Sequence, residues 1–109
     1  MKLIICIVQD EDSKVLLEKI TETGYRVTKL ATTGGFLKSG NTTLLIGVEE
    51  ERVDSVIEII KTICETREQV VTSPSPIASA TGVYVPYPME VQVGGATLFV
   101  VDVDKYIKI

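Results

Sequence analysis

An α+β fold is predicted for this chain, and three patterns predict it. The chain opens on a nearly continuous apolar run, Lys2-Leu3-Ile4-Ile5-Cys6-Ile7-Val8, which reads as a strand. Two later segments repeat apolar residues at helical spacing. The runs between and after them alternate in polarity and are divided by glycine, serine and proline.

Residues 2–9 form the first predicted strand, and both of its faces are apolar: Leu3, Ile5 and Ile7 on one, Ile4, Cys6 and Val8 on the other. Residues 10–13, Asp-Glu-Asp-Ser, supply a cap and first-turn acids for a helix reaching about residue 23. Val15, Leu16 and Ile20 make its inner stripe, and Gly24 stops it. Strands are predicted over 25–32 and 42–48, flanking the glycine-rich loop 33–41. A second helix runs from 49 to about 64. Its Val53, Val56, Ile57, Ile60, Ile63 and Cys64 trace one face, and Glu49, Glu50 and Glu51 complement the dipole of its first turn. A fourth strand over 68–72 completes the order β-α-β-β-α-β, the ferredoxin-like pattern. Residues 73–88 hold all four prolines and read as a long loop. Strands over 89–93 and 96–103 follow, and Gly94-Gly95 between them predicts an extra C-terminal β-hairpin.

Length and composition bound the function. The 109 residues, 45% of them hydrophobic and 24% charged, fit one globular domain, residues 1–109. A net charge of −4 argues against a DNA- or RNA-binding surface, which needs clustered Lys and Arg. The chain has no histidine, so the commonest general base and the commonest transition-metal ligand are missing. Two cysteines remote in sequence, Cys6 and Cys64, form no metal-binding pair and read as buried free thiols. No nucleophile–base spacing stands out, so neither an enzyme nor a metal site is expected. The first strand is too short to span a membrane and carries no secretion cleavage pattern, so a cytoplasmic protein is expected.

Two features point to ligand binding. In the ferredoxin-like pattern both helices cover one face of the sheet, which leaves the apolar opposite face bare. The simplest cover is a second copy of the chain, so a homo-oligomer is expected; the alternative is that the C-terminal hairpin folds over that face. Strand parity then gathers Arg26, Thr28, Asn41 and Gly47 on the face away from the helices, with Gly47 leaving room for a close approach. The loop before Asn41 carries Gly34, Gly35 and Gly40 around Phe36, a composition that suits a nucleobase and a phosphate. Its likeness to a P-loop fails, because Asn41 stands where the lysine belongs and a strand follows in place of a helix.

The segments Thr-Lys-Leu-Ala-Thr-Thr-Gly-Gly-Phe-Leu at 28–37, Gly-Asn-Thr-Thr at 40–43, Tyr-Val-Pro-Tyr-Pro at 84–88 and Val-Gly-Gly-Ala-Thr at 93–97 resemble the PII-like cyclic di-AMP receptor proteins of Gram-positive bacteria. The resemblance runs from Lys2 to at least Val103. It implies a homotrimer of ferredoxin-like subunits with cyclic di-AMP in each cleft between subunits, and no further cofactor. It also implies a short loop after the second strand and a long one before the C-terminal hairpin, the reverse of nitrogen-regulatory PII proteins. By the same resemblance Arg26 and Thr28 contact phosphate or base, Gly35, Phe36 and Leu37 hold an adenine, and Asn41 and Gly47 make polar and backbone contacts. Phe99 is expected to contribute from a neighbouring subunit. Gly24 and Lys108 lack the amide side chains expected there. The function implied is a signalling receptor that relays ligand binding through its loops to an unknown downstream protein. The competing reading is an amino-acid-sensing regulatory domain, which shares the β-α-β-β-α-β unit.

Overall fold

The computed structural model describes residues 1–30, 40–74 and 86–109. Its elements run β1 (Lys2–Gln9), α1 (Asp10–Glu22), β2 (Arg26–Lys29), β3 (Asn41–Val48), a 3-10 turn (Glu50–Arg52), α2 (Val53–Cys64), β4 (Arg67–Pro74), β5 (Pro86–Val93) and β6 (Ala96–Asp102). The order β-α-β-β-α-β is therefore present, followed by two C-terminal strands. Four strands form one sheet in the order β2-β3-β1-β6, and β4 and β5 form a separate two-stranded ribbon.

The pairing corrects two expectations. The strand expected over 68–72 does not complete the main sheet, because β6 takes the place beside β1. Strands β5 and β6 do flank Gly94-Gly95, but they do not pair with each other: β5 pairs with β4 and β6 with β1. Composition explains the exchange. Strand β6 is apolar on both parities, with Leu98 packed against the core, whereas β4 opens Arg67-Glu68-Gln69 and suits a solvated ribbon. Residues 73–74 and 86–88, predicted as part of the long loop, are strand, since β4 continues to Pro74 and β5 begins at Pro86; residues 75–85 lie outside the described residues. Prolines fit there because both ribbon strands have an outer edge that needs no donor.

Both helices pack on one face of the sheet. Ile4, Cys6, Val8, Leu44, Ile46 and Val48 meet Leu16, Ile20, Val56, Ile60 and Cys64 in a single core. Each such side chain contributes about 1.5–3 kcal/mol when fully buried. The predicted set in β3, Thr42, Leu44, Ile46 and Val48, is buried against the helices, although Thr43 on the other parity is buried as well. Val15 does not join the inner stripe of α1 and is 55% exposed, while Asp12 and Ser13 are buried one turn earlier. The capping predicted for residues 10–13 also differs, since Gln9 occupies the cap position and the acids lie in the first turn. Gly24 ends α1 with φ +100°, the Gly24 and Tyr25 amides bonding back to Thr21 and Ile20.

Cys6 and Cys64 are free and buried. Burial, reinforced by the neighbouring Cys64, pushes the Cys6 thiol up to about 12. Burial, with Asp12 nearby, pushes Cys64 up to about 11. No helix among the described residues is long and apolar enough to cross a membrane.

Candidate binding cleft

The sheet face away from the helices is built from cross-strand rows. Gly47 is paired with Arg26 on one side and Leu3 on the other, and Leu3 in turn faces Val101. The next row on that face is Thr28, Leu45, Ile5 and Phe99. Phe99 and Val101 stay 53% and 41% exposed, so this apolar face is not covered by the C-terminal strands.

At one end of this face lies a cavity of about 490 Å³ lined by Met1, Leu3, Arg26, Thr28, Leu45, Gly47, Val103 and Tyr106. Each of the four strands, or the segment that follows it, contributes. A backbone bond from the Val103 amide to the Met1 carbonyl at 3.2 Å and the Lys2–Asp102 ion pair fasten β6 to β1 there. That bond holds the Lys2 ammonium above its ordinary range and the Asp102 carboxyl below its own. Arg26 and Thr28 are exposed and directed to the cavity by the pleat. A Cβ built on Gly47 meets nothing within 4 Å, and its φ lies outside the left-handed region. The bare backbone at Gly47 thus lines open space and is not required by a turn.

A second cavity of about 350 Å³ lies at the opposite end, lined by Gln9, Asn41, Gly94, Gly95 and neighbours in β1 and β6. Asn41 and Gly47 stand six positions apart along β3, about 20 Å of extended strand. The structure therefore brings Arg26, Thr28 and Gly47 together, and places Asn41 at the far end of the same strand. Phe99 lies three strands from Thr28, about 14 Å across the sheet. Gly35, Phe36 and Leu37 lie outside the described residues. Sequence reasoning missed Tyr106, Val103 and Met1 as cavity walls. An aromatic ring just beyond the last alternating strand was the signal available for Tyr106.

One guanidinium for an anion, one hydroxyl and a bare backbone for polar atoms, and apolar walls for a flat ring are the equipment of a small-ligand receptor. The cyclic-di-AMP receptor family model matches residues 1–109, the whole chain, and the chain belongs to that family. It is also similar to a solved protein from Pediococcus pentosaceus ATCC 25745 described as functionally unknown. The two are 47% identical over 99% of this chain and 96% of the other, with a TM-score of 0.75. A slighter likeness is to CPII from Thiomonas intermedia K12, solved bound to ADP, AMP and acetate. It has 15% identity over 86% and 88% of the two chains and a TM-score of 0.42, too distant to bear on this chain's ligand.

Proposed function

We propose that this chain binds cyclic di-AMP in clefts between the subunits of a homotrimer, and that its loops relay the bound state to a downstream protein. The observation that carries the reading, beside family membership, is the gathering of Arg26, Thr28 and Gly47 around one open cavity on an uncovered apolar face. Cyclic di-AMP offers two phosphodiesters and two adenines. Arg26 pairs with a phosphate, Thr28 donates or accepts at phosphate or base, and the Gly47 backbone admits the ligand closely. Phe36 stacks on an adenine, with Gly35 and Leu37 beside it, and Asn41, about 20 Å along β3 from its own subunit's Gly47, adds polar contacts to the ligand from a neighbouring copy.

Phe99 is not among the residues lining this cavity, and a neighbouring copy laid on the open face can bring its own Phe99 to the ligand. The exposed Phe99 and Val101 give that copy an apolar surface to cover. The domain 1–109 acts as one unit in this reading, and the 33–41 and 73–88 segments carry the signal. Titration calorimetry with cyclic di-AMP, AMP, ATP and amino acids tests the ligand. Selective binding of cyclic di-AMP is expected, and selective binding of an amino acid overturns the reading. Sedimentation equilibrium at micromolar concentration tests the assembly: three subunits are expected, and a monomer removes the shared cleft.

A further inference from the structure

The corner between β1 and α1 is fastened to two separate parts of the fold within four residues. Toward β3, the Asp10 amide donates to the Gly40 carbonyl at 2.9 Å, and Thr42 Oγ1 donates to Asp10 Oδ1. Gln9 stands opposite Asn41 in the β1–β3 register. Toward the ribbon, Gln9 Oε1 accepts from the Gly94 amide at 2.7 Å. Arg67 Nη2 donates to Asp12 Oδ1 at 2.7 Å, and Arg67 Nη1 to the Glu65 carbonyl at 3.2 Å.

These bonds leave little slack. Gly94 and Gly95 both hold φ +90°, and a Cβ on Gly94 would lie 2.5 Å from the Glu65 carbonyl oxygen and 2.7 Å from Arg67 Nη1. The Gly95 amide is bonded to the Cys64 carbonyl. Both strands of the ribbon are thus seated at their base, one through Arg67 and one through Gly94. An isolated two-stranded ribbon is marginal in water, so its seating depends on these few contacts. The Asp12 carboxylate is only 7% exposed, so loss of Arg67 leaves a buried charge without its partner.

We propose that Gln9 is a positioning residue that couples ligand contact at Asn41 to the seating of the β4–β5 ribbon. This inference rests on the reading of Asn41 as a cyclic di-AMP contact. A ligand that draws on Asn41 shifts the end of β3 against Gln9 and Asp10. Gln9 passes the shift to Gly94, and the ribbon tightens or loosens on its base. By linkage, a change in ribbon seating must act back on ligand affinity by the same factor.

Amide exchange read by NMR, with and without cyclic di-AMP, tests the coupling at Gly94 and residues 67–70. In the wild-type trimer the ligand is expected to change exchange there by about fivefold or more. Gln9→Ala is expected to bind the ligand while its ribbon no longer responds, and Gln9→Glu, which keeps the acceptor oxygen, to restore the response. Arg67→Gln, a residue that lines neither cavity, is expected to change affinity by a similar factor. An unresponsive wild-type ribbon, an undiminished response in Gln9→Ala, or unchanged affinity in Arg67→Gln overturns the coupling. If the wild-type protein binds no cyclic di-AMP, the ligand reading fails, and Thr42→Val then decides the corner without ligand. Faster exchange at Gly94 in that variant keeps the mechanical link, and unchanged exchange removes it.

Discussion

Replacing Gly47 by alanine adds one methyl group to the larger cavity, and the structure fixes the sign of two separate effects. Within the protein the new Cβ meets no atom within 4 Å and the backbone is unstrained, so nothing must move. Glycine in a strand interior costs conformational entropy, and its replacement at a compatible site stabilises by about 0.4–1 kcal/mol. For a domain of this size that raises the melting temperature by about 2–6 °C. The same methyl intrudes where the proposed ligand approaches the backbone. Overpacking of a fitted contact costs about 1–3 kcal/mol, which weakens cyclic di-AMP binding by about 5–150-fold. Thermal melts and calorimetry on one preparation separate the two effects. Raised stability with unchanged affinity would refute the approach at Gly47, and lowered stability would refute the open space itself.

Three other substitutions give independent checks. Arg26→Gln removes the only cationic side chain among the described residues lining the larger cavity; calorimetry is expected to show a loss of about 1.5–3 kcal/mol, with a shallower dependence of affinity on salt. Gly94→Ala forces a side chain into positive φ and against the Glu65 carbonyl; urea melts are expected to show a loss of at least about 2 kcal/mol. The thiols predict the alkaline limb of stability. Below about pH 8 both are largely protonated in the folded and unfolded chain, so neither affects the slope. Between about 9 and 11 only the unfolded chain releases these protons, so stability falls as pH rises, by about 1.4 kcal/mol per pH unit for each thiol. Cys6→Ala is expected to flatten that slope by about half in urea melts between pH 8 and 10.5.

Much of the local structure was written in the sequence. The buried parity of β3, the stop of α1 at Gly24, the uncovered apolar side of β1 and most of the face of α2, where Ile59 packs on the core in place of the expected Ile57, follow from periods of 2.0 and 3.6 residues. Parity also put Arg26, Thr28 and Gly47 on one face, because the pleat assigns faces whatever the strand's neighbours are. Tertiary structure decided the partners. Residues 89–93 and 96–102 alternate equally well whether they pair with each other or with distant strands, and Gly94-Gly95 serves a tight hairpin or a corner between two sheets with the same positive φ. Of β4 and β6, the apolar β6 lies beside β1 with Leu98 packed against the core, and β4, which opens Arg67-Glu68-Gln69, pairs in the ribbon. The separation of Asn41 from Arg26 and Thr28 was hidden for a related reason, since parity specifies a face and says nothing of position along it. Met1 and Tyr106 became cavity walls only because β1 and β6 lie side by side, a pairing 100 residues apart in the chain that no local pattern encodes.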